Sequence, residues 1–211
     1  FGIGLKDALA TFDRHGVMVF IKSCHGDITL GKTQKHGFSD IVTLHAYISP
    51  PSDPNFVGTE FIFEGVTERD IKRAKDLFLI FSGEKVIEST RFGQLLKRKG
   101  KIARIYINGV KVADEENFLF SYNITSLTKK IKQALNRERS NVGRSAYSDR
   151  IKSILLSCKS KEVADYLIND LSNYFRGDMH DELKWIDVQE HAVKILNARE
   201  RVVFFTSDEL I

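Results

Sequence analysis

Apolar and polar positions along the chain change period several times, and each change predicts an element. Leu5, Ala8 and Phe12 recur at helical spacing, which predicts a short helix over 5–13 closed by His15-Gly16. Apolar runs at 17–21, 28–30, 41–48 and 60–63 predict strands. Between the last two lies Pro50-Pro51-Ser52-Asp53-Pro54-Asn55, a loop that holds all 3 prolines of the chain. Thr67 then stands as an N-cap with Asp70 at the capping-box position. Ile71, Ala74, Leu77 and Phe78 form one stripe as far as Gly83. The pattern turns to strands there, so a domain boundary is expected near Ser82-Gly83.

Beyond it, Arg104 to Val112 places Asn108-Gly109 between two alternating runs, the signature of a tight hairpin. A strand over 118–124 is expected next, followed by helices over 127–135, 148–156, 161–175 and 187–196. A last apolar run, 201–206, reads as a strand. No internal repeat is present. The fold class expected is α+β, in three parts: 1–82, a β/α region over 83–135, and a helical extension over 136–211 ending in a strand.

Composition changes this picture little. With 42% hydrophobic and 28% charged residues among 211, the chain has the make-up of a folded globular protein and excludes disordered or collagen-like classes. Cys24 and Cys158 are too few and too far apart for a disulfide framework or a zinc cluster. No apolar run approaches the ~18 residues of a membrane helix, and the first residues lack the features of a signal peptide. A reducing, cytoplasmic setting without membrane contact is therefore expected. The chain opens without Met on a glycine-rich turn, as expected of a piece cut from a larger protein.

That turn, Gly2-Ile3-Gly4-Leu5-Lys6, is where chemistry is expected. Two glycines let a backbone approach a ligand closely. A following helix aims its free N–H groups and positive dipole end at whatever sits in the turn, an arrangement suited to phosphate. Lys6 adds a point charge. The plain alternative is a tight strand-to-helix corner.

Phe1-Gly2-Ile3-Gly4-Leu5-Lys6-Asp7-Ala8 closely resembles the second glycine box of the GHKL ATPases, the superfamily of gyrase B, MutL, MORC proteins and sensor histidine kinases. The order downstream is also similar: helix, strand, hairpin, strand, then Gly58-Thr59 leading into Glu60-Phe61-Ile62-Phe63. The resemblance covers about residues 1–80 and implies the rear half of a GHKL α/β sandwich. It implies ATP as ligand, with Gly2, Ile3, Gly4, Leu5 and Lys6 at the phosphates and Thr59 near adenine through water. The family's water-activating Glu, its Mg2+ ligands and its Asp-x-Gly-x-Gly segment all precede this box. No Asp-x-Gly-x-Gly occurs here, so this chain supplies neither catalytic nor metal residues and is not expected to hydrolyse ATP alone. Residues 84–135 are similar in plan to the transducer domain of gyrase B and MutL. That likeness implies nucleotide state passed to a partner or to homodimerisation through the ATPase domain. It also implies a lysine reaching the γ-phosphate, for which Lys97-Arg98-Lys99-Gly100-Lys101 holds the candidates.

The competing reading is a non-enzymatic module that holds DNA or RNA through basic loops. Its residues are that loop together with Lys129, Lys130, Lys132, Arg137, Arg139, Arg144 and Arg150. Glu138 and Asp149 interrupt the second cluster, which reads equally as a solvated helix end. Cys24-His25 does not read as a nucleophile–base pair, because neighbours in a strand point to opposite faces. Asp178, His180, Asp181, Glu182 and Lys184 invite a metal or nuclease reading, against which stands the cap of the following helix with Trp185 packed beneath. His191 reads as an ordinary helix residue.

Overall fold

The computed structural model describes residues 3–137, 142–171 and 179–199. The chain divides into two compact units, Phe1–Lys72 and Arg73–Ile211. The strand expected over 201–206 lies outside the described residues.

In the first unit, α1 (Ile3–Arg14) is followed by four antiparallel strands. These are β1 (Met18–Ser23), β2 (Gly26–Gln34), β3 (Val42–Ser49) and β4 (Thr59–Glu64), in the order β3-β2-β1-β4. The register pairs Val19 with Phe63, Ile21 with Phe61 and Ile28, Ile28 with Ile48, and Leu30 with Ala46. Since alternate residues share a face, one face carries Val19, Ile21, Ile28, Leu30, Leu44, Ala46, Ile48, Phe61 and Phe63. The other is the more polar of the two, with Lys22, Asp27, Thr29, Thr33, Thr43, Glu60 and Glu64 beside Met18, Phe20, Tyr47 and Ile62. Helix α1 lies on the apolar face: Phe12 meets Phe63 at 5.1 Å between ring centroids, and Asp13 pairs with Lys32 at 3.0 Å. The chain reverses at Gly16, where the Val17 N–H donates to the Phe12 carbonyl. Cys24 and His25 form the tight turn between β1 and β2 and are not within a strand.

The capping box at Thr67 forms as expected. The Thr67 N–H and hydroxyl donate to the Asp70 carboxylate, and the Asp70 N–H donates back to the hydroxyl. The helix it starts, α2 (Glu68–Lys75), is shorter than the stripe predicted. A turn follows and then α3 (Leu79–Ser82), which ends on Gly83 in the left-handed conformation. The break has a cause within the second unit. The Leu79 N–H donates to the Gly109 carbonyl and the Lys111 N–H to Leu77, so this segment runs along the hairpin instead of continuing the helix. The same bonds place 77–82 with the second unit.

The second unit is a five-stranded mixed sheet, β5-β6-β9-β7-β8, with its helices on one face. The strands are β5 (Lys85–Thr90), β6 (Gly93–Lys97), β7 (Ala103–Ile107), β8 (Val110–Glu115) and β9 (Ser121–Ile124). Asn108 and Gly109 both adopt positive φ (48° and 81°), the type I′ geometry that matches strand twist. β9 then crosses back to pair parallel with β7 and antiparallel with β6, making it the central strand. The helices are α4 (Lys129–Arg137), α5 (Arg144–Leu155), α6 (Lys161–Leu171) and α7 (Ile186–Arg199). They share one core with the sheet, built on Leu95, Ile105, Tyr122, Ile124, Ile131, Ile151, Ile154, Leu167 and Val188. The helical part is thus continuous with the β region and has no core of its own. The outer sheet face carries a polar ladder: Arg104 N–H to Ser121, Ser121 to Glu84, and Asn123 to Gln94.

Gly93 is the tightest point of this packing. It has φ +156°, and a Cβ there would stand 2.2 Å from the Asn123 carbonyl oxygen. Gly93→Ala is expected to cost about 3 kcal/mol or more. Urea denaturation monitored by Trp185 fluorescence checks this; a cost under 1 kcal/mol contradicts the packing described.

Candidate functional site

In the first unit the residues predicted to hold phosphate open α1. The helix begins at Ile3, two residues earlier than expected, so Ile3 and Gly4 belong to its first turn and not to a bend before it. Gly4 does not adopt a positive φ. Gly2 lies outside the described residues. Gly4, Leu5 and Lys6 are exposed, and no carboxylate stands in the first turn to compete for the free amides. Thr59 is the first residue of β4, preceded by Gly58 at φ +107° and paired with Ser23 at the end of β1. Both Ser23 and Thr59 belong to the apolar face on which α1 lies.

Beside them, a cavity of about 220 Å³ is lined by Lys22, Ser23, Asp27, Ser52, Asp53, Phe56 and Glu60. Three carboxylates against one lysine give it the wrong sign for a phosphate. Asp27 receives the Ser52 N–H on Oδ2 at 3.1 Å, while its buried Oδ1 has no hydrogen-bond partner.

The densest polar chemistry lies in the second unit, where sequence reasoning expected only a helix cap. Asp181–Lys184 forms one turn of 3-10 helix, and its Glu182 is fully buried. The Glu182 carboxylate accepts the Leu119 N–H at 2.9 Å, the Phe120 N–H at 3.2 Å and the Tyr122 hydroxyl at 2.9 Å. Burial outweighs these three donors and pushes the Glu182 carboxyl up to about 7. Burial, together with the adjoining Glu182, also drives the Tyr122 hydroxyl well above its ordinary value.

One residue earlier, Asp181 accepts from Arg144 (2.6 Å), Lys184 (2.6 Å) and Asn117 (2.9 Å). Although burial works to raise it, those partners hold the Asp181 carboxyl below the usual range. Arg144 also grips Glu115 with two guanidinium nitrogens and lies over the Phe118 ring at 4.7 Å; Tyr147 donates to the same carboxylate. His180 is held by Asp170, whose carboxylate receives the His180 N–H at 2.9 Å and contacts Nδ1 at 2.6 Å.

These groups therefore tie 180–184 to the loop between β8 and β9 and do not cap α7. Trp185 packs edge-on against Phe118, and Asp178 lies outside the described residues. No group of three His, Cys, Asp or Glu side chains suited to a metal occurs among the described residues. His191 Nε2 donates to the Cys158 carbonyl oxygen at 2.7 Å, as an ordinary helix residue would. Burial pushes the Cys158 thiol up to about 12, so it is no nucleophile.

The basic residues divide into two sets. Lys97 lies over Tyr166, Arg98 donates to the Phe118 carbonyl, Lys99 to the Ser82 carbonyl, and Arg144 is neutralised as above. Arg150, Lys129, Lys130 and Lys132 form no ion pair among the described residues. Among these residues, too, no helix is long and apolar enough to cross a membrane.

Residues 69–161 match the family described as the Mycoplasma pneumoniae MPN635 N-terminal domain. Two proteins of Mycoplasma pneumoniae (strain ATCC 29342 / M129 / Subtype 1), each named only "Uncharacterized protein", are similar to the chain. One is 35% identical over 164 residues, covering 77% of this chain and 66% of the relative. The other is 30% identical over 148 residues, covering 68% and 41%. The chain thus spans just under two thirds of the first relative and about two fifths of the second. No solved structure matches.

The Glu182 contacts generate a pH dependence. A carboxyl whose folded value is raised to about 7 binds its proton more tightly folded than unfolded, so stability is full below pH ~4.5 and falls as pH climbs to 7. The fall attributable to Glu182 is roughly 3 kcal/mol at ~1.4 kcal/mol per pH unit. Glu182→Gln keeps an acceptor for the two amides and should abolish that slope. Urea midpoints for both proteins between pH 5 and 8 check this; parallel curves contradict it.

Proposed function

We propose that the first unit is the rear half of a GHKL-type nucleotide-binding fold and that the second unit transmits its nucleotide state, in the manner of a transducer domain. The observation that carries this reading is the apolar sheet face. Apolar residues of all four strands lie on it beside Lys32 and Gln34, and although α1 lies against it, Phe61, Phe63 and Ile48 stay 44%, 43% and 74% exposed. β4 also keeps a free edge within its sheet. A face of this kind asks for more helices, and a free edge accepts another strand. A front half of the ATP fold would supply both in this reading.

The elements fit in order and in place. A 12-residue helix spans about 18 Å and six-residue β1 about 20 Å. A helix laid back along β1 therefore returns Gly4-Leu5-Lys6 toward the end of the sheet where Ser23 and Thr59 stand. There the free amides of the first turn donate to phosphate oxygens, the Lys6 ammonium pairs with the terminal phosphate, and the Thr59 hydroxyl approaches adenine through water. Mg2+ neutralises the triphosphate when bound. Its donors are assigned to the front half, since no group among the described residues suits it. ATP binding then orders the first turn of α1, and the change passes to a partner or to a second copy meeting through the ATPase domain.

Lys6 is exposed and forms no ion pair among the described residues. In the full-length parent polypeptide, Lys6→Ala should weaken ATP binding tenfold or more by calorimetry and leave the melting temperature unchanged. Unchanged affinity counts against the reading. The present chain alone should show no ATP turnover above buffer.

A further inference from the structure

The second unit carries a cationic surface that its own acids leave unneutralised, and its position is fixed by the ring of Phe92. The guanidinium of Arg91 lies 4.6 Å from that ring's centroid and that of Arg150 lies 4.7 Å from it. Two like charges are thus held within about 9 Å, the sum of two ring contacts. Neither arginine forms an ion pair among the described residues, and Arg150 keeps a buried Nε with no hydrogen-bond partner. The nearby carboxylates are engaged or turned out. Glu88 accepts the Lys159 and Ser160 N–H groups, and exposed Asp149 pairs with neither arginine.

The same turn fixes the start of α4. The Phe92 carbonyl accepts the N–H groups of Thr125 and Ser126, and Thr128 caps the helix through the Ile131 N–H. Lys129 and Lys130 open α4, and no carboxylate stands in its first turn. Arg91, Arg150 and this turn therefore present positive charge and helix dipole at one end of the sheet.

We propose that this surface binds the phosphate backbone of double-stranded nucleic acid without reading its sequence. The chemistry favours a polyphosphodiester, because separate unpaired cations are drawn to a regularly spaced polyanion. It favours a duplex over a single strand, because the patch's aromatic ring is already engaged by two guanidiniums and offers no platform for unpaired bases. The basic residues spent elsewhere in the unit (Lys97, Arg98, Lys99 and Arg144) are not part of it. The surface is independent of the nucleotide reading of the first unit.

The test is fluorescence anisotropy of a labelled 30-base-pair DNA duplex with the whole chain, from 50 to 200 mM salt. Arg91→Gln with Arg150→Gln should weaken binding at least tenfold at 50 mM and reduce the salt slope by about 2. The control, Lys111→Gln with Lys184→Gln, removes the same charge from lysines already paired with Asp114 and Asp181, and should change affinity less than twofold. Equal loss in both pairs, or no wild-type binding at 50 mM, overturns the proposal. So does tighter binding to a single-stranded oligonucleotide, or to vesicles containing 30% phosphatidylserine, than to the duplex. If Arg150→Gln lowers the melting temperature, the exposed pair Arg91→Gln and Lys129→Gln carries the test with the same expected loss.

Discussion

A sheet face that carries apolar residues from all four strands must be buried, and among the described residues the 12-residue helix α1 is what lies against it in the first unit. Val19 and Ile21, in the strand beside α1, are buried, while Phe61, Phe63 and Ile48 are not. At roughly 25 cal/mol per Å² of apolar area removed from water, so much exposed aromatic and aliphatic surface is a standing driving force for a complement. The functional reading depends on that constraint. In the proposed reading the first turn of α1 would form one side of a nucleotide site, and whatever covers the sheet the other.

The second unit solves the same problem within itself. Its helices close over one sheet face, and the segment 77–84 with its polar ladder occupies the other. The connection that brings β9 back into the middle of the sheet is held by charge. Glu182 gathers the amides of 119 and 120, and Arg144 joins Glu115 to Asp181 across the same loop. Breaking one partner of such a buried set costs more than the set contributes, because the remaining charge stays buried alone. This makes 180–184 a structural clamp in spite of a composition that suggests metal chemistry.

Much of the fold was legible because local signals agreed. Asn108-Gly109 specifies one turn, Thr67 and Asp70 specify one helix start, and apolar runs mark β1, β3 and β4. Other features were set at long range. The helix from Thr67 stops early because Leu77 and Leu79 find better partners on the hairpin, which no periodicity reveals. β2 proved longer than its apolar run, since Gly31 to Gln34 pair with Thr43 and its neighbours through backbone alone. Gly4 could join the helix because a glycine near a helix start costs little. The burial of Glu182 left no trace in the sequence: Asp-Glu-Leu-Lys reads as surface, and only the amides of 119 and 120 make it interior. Of the predicted site, Thr59 opens β4 opposite Ser23, while the phosphate turn proved to be helix from Ile3 onward.

The most direct test is a structure of the full-length parent polypeptide with a nonhydrolysable ATP analogue. The account predicts triphosphate density at the first turn of α1, within hydrogen-bond distance of the amides of Gly4 to Lys6, with the base toward Thr59 on the apolar face. Density for the analogue on the polar face, or in the acidic cavity beside Asp27, would contradict it.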